Sequence, residues 1–353
     1  MKNVLIYSKV MPPAIGGYVT AGWNVFMALK DIFKISVLCE NYEEFLQYLK
    51  QKGIDNVTVI DSSKLEKKQL SRYDIAIYNA TYENTYFHRT FVEAGIPFLS
   101  IEHNAIVEYY KNEYIERAQY AFLLIYPSHY LFQKVSAFLP DNSRQIILGL
   151  PIDENIFSPK LLSKSKSNRN NRLIMTTICM IKPIRCIEFL FDFVIYAKQN
   201  MMKPYLQIYG TSAYGHSEEY FLHLKNLSKK LDIENNIVFC GAINDYHETY
   251  KALTDSEYYI DFSKEETYGQ AKIEAILAMK KIIIPDIGNN KYLLPSNYPL
   301  YPYDAKTACE MLIDNINNGC YSDEVLAHQR KHAITQFSHE NFRTKIGGII
   351  YEL

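Results

Sequence analysis

The chain has 353 residues, 48% of them hydrophobic, and a formal net charge of -1 at pH 7. That length exceeds one ordinary domain and predicts two, each with enough apolar residues for its own core. The near-neutral balance gives no general attraction to nucleic acid.

The opening MKNVLIYSKVMPP carries an apolar run too short for a signal peptide, with no small-residue cleavage site after it. No later segment reaches the ~18 apolar residues of a membrane span, so a cytoplasmic protein is expected, with contact to the inner face of a membrane left open. Short apolar runs at Val4–Tyr7, Ile35–Cys39, Val57–Ile60, Ile75–Tyr78, Pro97–Glu102, Phe122–Tyr126 and Gln145–Leu148 read as strands. Helix-period stretches such as Ala21–Leu29 and Phe45–Lys52 lie between them. Strands alternating with helices imply crossover connections and a parallel sheet covered on both faces.

The run Ser163–Arg172, SKSKSNRNNR, is polar, basic and free of large apolar residues, and predicts a linker. The alternation then restarts. Strands are expected at Leu173–Cys179, Leu206–Tyr209, Ile237–Cys240, Tyr258–Phe262 and Ile282–Pro285. Helices are expected at Ile187–Gln199, Glu218–Leu231, His247–Leu253, Ala271–Met279 and Ala305–Ile316. The boundaries are set at 1–158, 159–335 and a C-terminal helix at 336–353 able to pack back on the first domain. Six cysteines, none in CxxC spacing, read as reduced, buried thiols. The cluster Lys64–Arg72 reads as a solvated helix face, with anionic lipid as the lesser alternative. Most of the 30 tyrosines are expected in cores and half-buried surfaces.

EETYGQAKIEA, residues 265–275, follows a strand and opens a helix. The amides of Tyr268, Gly269, Gln270 and Ala271 then fall at a helix start, where no carbonyl of that helix accepts them. With the positive end of the helix dipole they suit a phosphate. Gly269 lets a ligand approach the backbone. Glu266 precedes the turn, and Glu274 lies about one turn into the helix, at ~3.6 residues per turn. Ionised carboxylates only accept hydrogen bonds, so the two acids suit hydroxyl-rich groups at two ends of one elongated ligand. A helix-entry Glu266 and a solvated Glu274 would need no ligand at all. Both readings stay open on spacing alone.

The ordered motifs resemble retaining GT-B glycosyltransferases of family 4, the EX7E group. ETYGQAKIEA matches E-x-F-G-x-x-x-x-E-A with tyrosine for phenylalanine. PPAIGG, residues 12–17, resembles the glycine loop after the first strand, LSIEHN, residues 99–104, the strand ending in histidine, and Tyr126-Pro127-Ser128 the serine opening the helix late in the first domain. LGLPIDENIFSP, residues 148–159, resembles the crossing segment through Ile152, Asp153, Phe157 and Pro159. The resemblance implies two Rossmann-like, doubly wound domains facing a central cleft, and hexose transfer from a nucleotide-diphosphate sugar to a glycan or lipid-linked acceptor in surface polysaccharide assembly. UDP-sugars are slightly favoured, with GDP-mannose still open. It further implies that Glu274 holds the ribose, that Glu266 contacts the donor sugar or its phosphate side, and that residues 268–271 bind sugar hydroxyls and β-phosphate. His103 would approach the transferred sugar, although a helix-cap or buried histidine would need no ligand, and Gly16 and Gly17 would bring the first loop close to the phosphates or the acceptor.

Two departures stand out. The family's arginine after the first strand of the second domain is Met180, leaving Arg185 and Lys182 as the cations for a leaving diphosphate. Asp286–Asn290, DIGNN, replaces paired glycines and a later acid. The chain has no D-x-D, so neither a divalent metal nor another cofactor is expected, and it has no GxGxxG, against a dinucleotide-dependent dehydrogenase. The alternatives are a non-catalytic sugar-nucleotide or glycan-binding relative, which Met180 favours, or another GT-B enzyme such as a sugar-nucleotide epimerase.

Overall fold

The computed structural model describes residues 1–80, 87–103, 108–157, 172–212, 217–243 and 245–353. Asn104, Pro159 and the expected linker up to residue 171 lie outside them. The described chain divides into two units, Met1–Asp153 with Gln336–Leu353, and Glu154–Thr335.

The first unit holds seven parallel strands. They are β1 (Asn3–Ser8), β2 (Lys34–Cys39), β3 (Thr58–Asp61), β4 (Ile75–Asn79), β5 (Phe98–Ile101), β6 (Leu123–Tyr126) and β7 (Gln145–Ile147). Their spatial order is β3-β2-β1-β4-β5-β6-β7. The order reverses beside β1, and doubly wound sheets take ligands at the carboxyl ends of strands near such a reversal. Val4–Tyr7 are buried throughout and have no polar face, as a central strand covered on both sides requires. Ser128 caps the helix His129–Ser136 by accepting the Leu131 N–H at 3.1 Å.

The C-terminal helix His339–Glu352 belongs to this first unit. Arg343 Nε donates to the Ala28 carbonyl at 2.9 Å, Tyr351 packs on Phe33, and Ile152 N–H donates to the Phe337 carbonyl at 2.7 Å. Gly149 makes room for that return. A Cβ there would lie 2.3 Å from a Phe337 ring carbon and 3.1 Å from the Gln336 carbonyl. Gly149→Ala is therefore expected to destabilise the first unit by about 1–3 kcal/mol. A urea titration reads this directly, and an unchanged midpoint would show that Phe337 yields freely.

The second unit holds β8 (Arg172–Ile178), β9 (Lys203–Tyr209), β10 (Ile237–Gly241), β11 (Tyr258–Ile260) and β12 (Lys281–Ile283), ordered β10-β9-β8-β11-β12 and all parallel. Two differences from the sequence expectation have local causes. β11 stops at Ile260 rather than Phe262 because Asp261 Oδ1 accepts the Ser263 N–H at 2.8 Å, an Asx turn. The helix Asp323–Phe337 was not foreseen, because its sequence DEVLAHQRKHAITQF lacks a continuous apolar stripe. The cysteine expectation needs correction. All six are free, but Cys240 is exposed and Cys179 and Cys320 are half-buried. Cys240 lies near the carboxyl end of the edge strand β10, where burial falls away along the strand. No described helix is long and apolar enough to cross a membrane.

Candidate functional site

The loops after β8, β9 and β10 are tied together at the carboxyl end of the second sheet. Cys179 N–H donates to Tyr209 O at 3.0 Å, Ile181 N–H to Thr211 O at 3.1 Å, and Gly210 N–H to Gly241 O at 2.7 Å. Gly210, at φ +144°, packs so tightly that a Cβ would lie 1.8 Å from the Cys179 carbonyl oxygen. From the loop after β11, Lys264 N–H donates to Ile184 O at 2.9 Å. That bond joins the segments carrying Arg185 and Glu266.

The turn before the helix Gln270–Leu277 is built on Gly269, which has φ +88°. That left-handed backbone favours glycine, and a Cβ there would also sit 2.9 Å from Leu293 Cδ1, so the Leu293 side chain would have to shift. The helix-start amides that the sequence predicts are thus present, and Tyr268, Gln270 and Ala271 are half-buried around them.

Glu266 and Glu274 are both buried, at 7% and 5% exposure, which excludes a solvated Glu274. Glu266 Oε2 lies 2.7 Å from Lys272 Nζ and 3.5 Å from Arg185 Nη1. Lys272, only 1% exposed, also donates to Asn290 Oδ1 at 3.0 Å and lies 3.5 Å from Asp261 Oδ1. Two acids and two cations therefore interlock. Burial works to raise the Asp261 carboxyl, but Lys272, Arg185 and the bonds from Ser263 outweigh it and hold Asp261 below the usual carboxylate range. Glu274 stands outside this cluster. It accepts from Gln270 Nε2 at 2.9 Å, and burial, only partly opposed by that bond, pushes its carboxyl up to about 7.

Arg185 was expected as a cation open to phosphate. Its Nη1 instead faces Glu266 and donates to Ser263 Oγ at 3.1 Å, because the 3-10 turn Pro183–Arg185 aims it inward. Its Nε is buried without a protein partner. Lys182 is half-buried beside it. Burial, then the Arg185 charge, push the Lys182 ammonium below its usual value, an arrangement that an anion would relieve. Met180, 38% exposed, supplies no charge in this loop.

The DIGNN segment, which looked like a loss from the family pattern, supports the Glu266 loop. A Cβ on Gly288 would lie 2.6 Å from the Glu266 carbonyl. Asn289 N–H donates to that carbonyl at 3.0 Å, and Asn289 Nδ2 donates to Tyr268 O at 3.0 Å. Sequence reasoning missed Asp261, Lys272, Asn289 and Asn290. The usable signal was a lysine three residues past the turn glycine, on the face the helix buries.

In the first unit, His103 follows β5 and sits half-buried, its Nε2 2.5 Å from Asn79 Oδ1 at the end of β4. Burial, slightly offset by Glu102, pushes His103 down to about 4, so it is neutral at pH 7. Glu102 is fully buried and held by Arg117 through Nε at 2.9 Å and Nη2 at 2.7 Å. Gly16, at φ +155°, precedes the helix Gly17–Leu29. At Gly17 a Cβ would meet nothing within 4 Å, so no packing demands glycine there. Among the described residues no group of His, Cys, Asp or Glu converges as a metal site.

No family model and no curated protein sequence matches the chain. Solved structures do. Anabaena HepE, solved in complex with UDP and glucose, matches over 100% of both chains with a TM-score of 0.80 at 15% identity. Sucrose-phosphate synthase from Thermosynechococcus elongatus matches 100% of this chain and 99% of its own at TM-score 0.79 and 13% identity. A glycosyltransferase from Rickettsia africae matches 99% and 98% at TM-score 0.76 and 15% identity.

The fold is GT-B.

Each GT-B half is a Rossmann-like sheet, and the candidate residues of each lie in its carboxyl-end loops or the helix starts they lead into. Glu266, Arg185, Lys182, Tyr268–Ala271 and Glu274 fall in the second half. His103, Gly16 and Gly17 fall in the first.

Proposed function

We propose that this protein is a glycosyltransferase that moves a hexose from a nucleotide-diphosphate sugar, UDP-linked by preference, to a glycan or lipid-linked acceptor with retention of anomeric configuration. The observation that carries the reading is the glycine-turned helix start at 269–271, flanked by a buried Glu274 on one side and a Glu266 clamped by two cations on the other. In this reading the helix-start amides and the Arg185 guanidinium charge, aided by Lys182, stabilise the departing diphosphate electrostatically. Glu274 accepts from the ribose hydroxyls. Glu266, its Oε2 occupied by cations, offers Oε1 to the donor sugar, and His103 serves the transferred sugar. No residue is assigned as general base. Assembly of a surface polysaccharide is the expected setting.

The neighbours support the choice of donor: HepE was solved with UDP-glucose, and a pneumococcal O-GlcNAc transferase of TM-score 0.73 with UDP and GlcNAc. A thermal-shift series with UDP-glucose, UDP-GlcNAc and GDP-mannose tests it. A ligand that binds only the folded form stabilises it by about 2.7 kcal/mol at 100 times Kd. The preferred UDP-sugar is expected to raise the midpoint and GDP-mannose to do so less. No response to any nucleotide-sugar would overturn the reading. Transfer assays with Glu266→Gln and His103→Ala should show reduced turnover, and full activity in both would remove these site assignments. Met180 favours a second reading, a non-catalytic nucleotide-sugar binder, which transfer or hydrolysis of the donor by the purified protein would reject.

A further inference from the structure

Asn79 is 1% exposed and its side chain lies among groups whose hydrogen-bond directions are forced. Carbonyl oxygens can only accept. Ser8 Oγ–H donates to the Val10 carbonyl at 3.0 Å, so its oxygen is left to accept from Asn79 Nδ2 at 3.1 Å. Asn79 Nδ2 also donates to the Tyr18 carbonyl at 3.0 Å. Both bonds need the amide nitrogen on that side. The Asn79 oxygen must then face His103, where Nε2 lies 2.5 Å away. An amide orientation and a histidine tautomer are normally left to assignment, but a chain anchored on two carbonyls leaves one self-consistent choice.

We infer that Asn79 is a positioning residue that holds His103 as the Nε2–H tautomer, so that His103 presents a lone pair on Nδ1 and meets its ligand as a hydrogen-bond acceptor. The consequence for recognition, which rests on the proposed transferase reading, is that His103 takes a sugar hydroxyl and not a phosphate oxygen. A neutral imidazole with a bare Nδ1 would repel an anion. The device reaches into the glycine-bearing loop, since Val10 and Tyr18 flank it. It also explains a glycine inside a helix. A Cβ on Gly22 would lie 2.9 Å from Ser8 Oγ and 3.1 Å from Asn79 Nδ2, inside the relay itself. The neighbouring charge, Glu102, is neutralised by Arg117, and Tyr78 and Tyr126 beside that pair are pushed above their usual values by burial and stay uncharged. Among described residues the polar partner of the ring is thus Asn79.

The test is 15N-histidine NMR on the full chain without ligand, with the His103 signals identified by their loss in His103→Gln. The expected wild-type pattern is a protonated Nε2 and an unprotonated Nδ1 at pH 7. Asn79→Asp keeps the shape but replaces the amide with a charge. His103 should then titrate about 1–3 units higher, with Nδ1 gaining a proton as pH falls through the range from about 7 to 5. The pH optimum for turnover should move upward with it, and kcat should fall more than KM rises. Gly22→Ala, which removes no polar group but pushes Ser8 Oγ and Asn79 Nδ2 apart, should give a mixture of tautomers. A wild-type Nδ1–H tautomer, or a pattern unmoved in both variants, would overturn the inference. If the tautomer is as expected but no nucleotide-sugar is bound or consumed, the transferase reading fails and the lock stands.

Discussion

Lys272→Met is expected to cost the second unit about 3–5 kcal/mol, the usual effect of removing one member of a buried ion pair. The magnitude follows from burial, because Lys272 is 1% exposed and its ammonium serves Glu266, Asp261 and Asn290 together. Methionine fills a similar volume but leaves two carboxylates sharing Arg185. Arg185 cannot replace the lost cation, since its Nη1 is already 3.5 Å from Glu266 and bonded to Ser263. Adding Glu266→Gln to Lys272→Met should restore part of the loss by removing the unpaired charge. The coupling from that double-mutant cycle, read by urea unfolding, isolates the pair. A Lys272→Met protein as stable as the wild type would show that the cluster bears no charge at all.

Affinity for UDP-glucose is expected to rise steeply between pH 5 and pH 8, while the ligand-free protein loses stability over the same range. Both follow from Glu274, whose carboxyl burial pushes up to about 7 from an ordinary 4.5. If ribose hydroxyls need the ionised form, roughly one molecule in a hundred is competent at pH 5, so apparent affinity should fall about a hundredfold from its plateau. The stability effect has the opposite sign. A carboxyl raised on folding binds more protons in the folded state, so its contribution is full below about 4.5 and is lost as pH rises through about 7. The distance from 4.5 to about 7 sets an upper figure of about 3 kcal/mol. Calorimetric titration with UDP-glucose, whose diphosphate diester does not ionise in this range, reads the first effect. Thermal unfolding without ligand reads the second. Glu274→Gln should flatten both curves, and a wild type flat in both would remove Glu274 from the nucleotide site.

The parallel sheets were legible because their strands carry apolar residues on both faces with helix-period segments between, a pattern that local chemistry imposes on Val4–Tyr7 as on Leu173–Ile178. The Gly269 turn and the two glutamates were equally legible, since a helix start and its spacing are local properties. What escaped was what distant chain segments bring together. Lys272 reads as a surface residue until Asp261, Glu266 and Asn290 surround it. DIGNN reads as a defect until Gly288 and Asn289 are found against the Glu266 backbone. Arg185 reads as an open cation until Glu266 and Ser263 are found against it.

The sequence by itself determined the alternation of strands and helices and the helix-start turn, because dihedral preference and side-chain period act over a few residues. Only the tertiary structure decided which charges neutralise one another, which carboxyl is left protonatable near neutrality, and which way the Asn79 amide points. Those properties depend on desolvation and on partners tens of residues away, such as the 71 positions between Ser8 and Asn79.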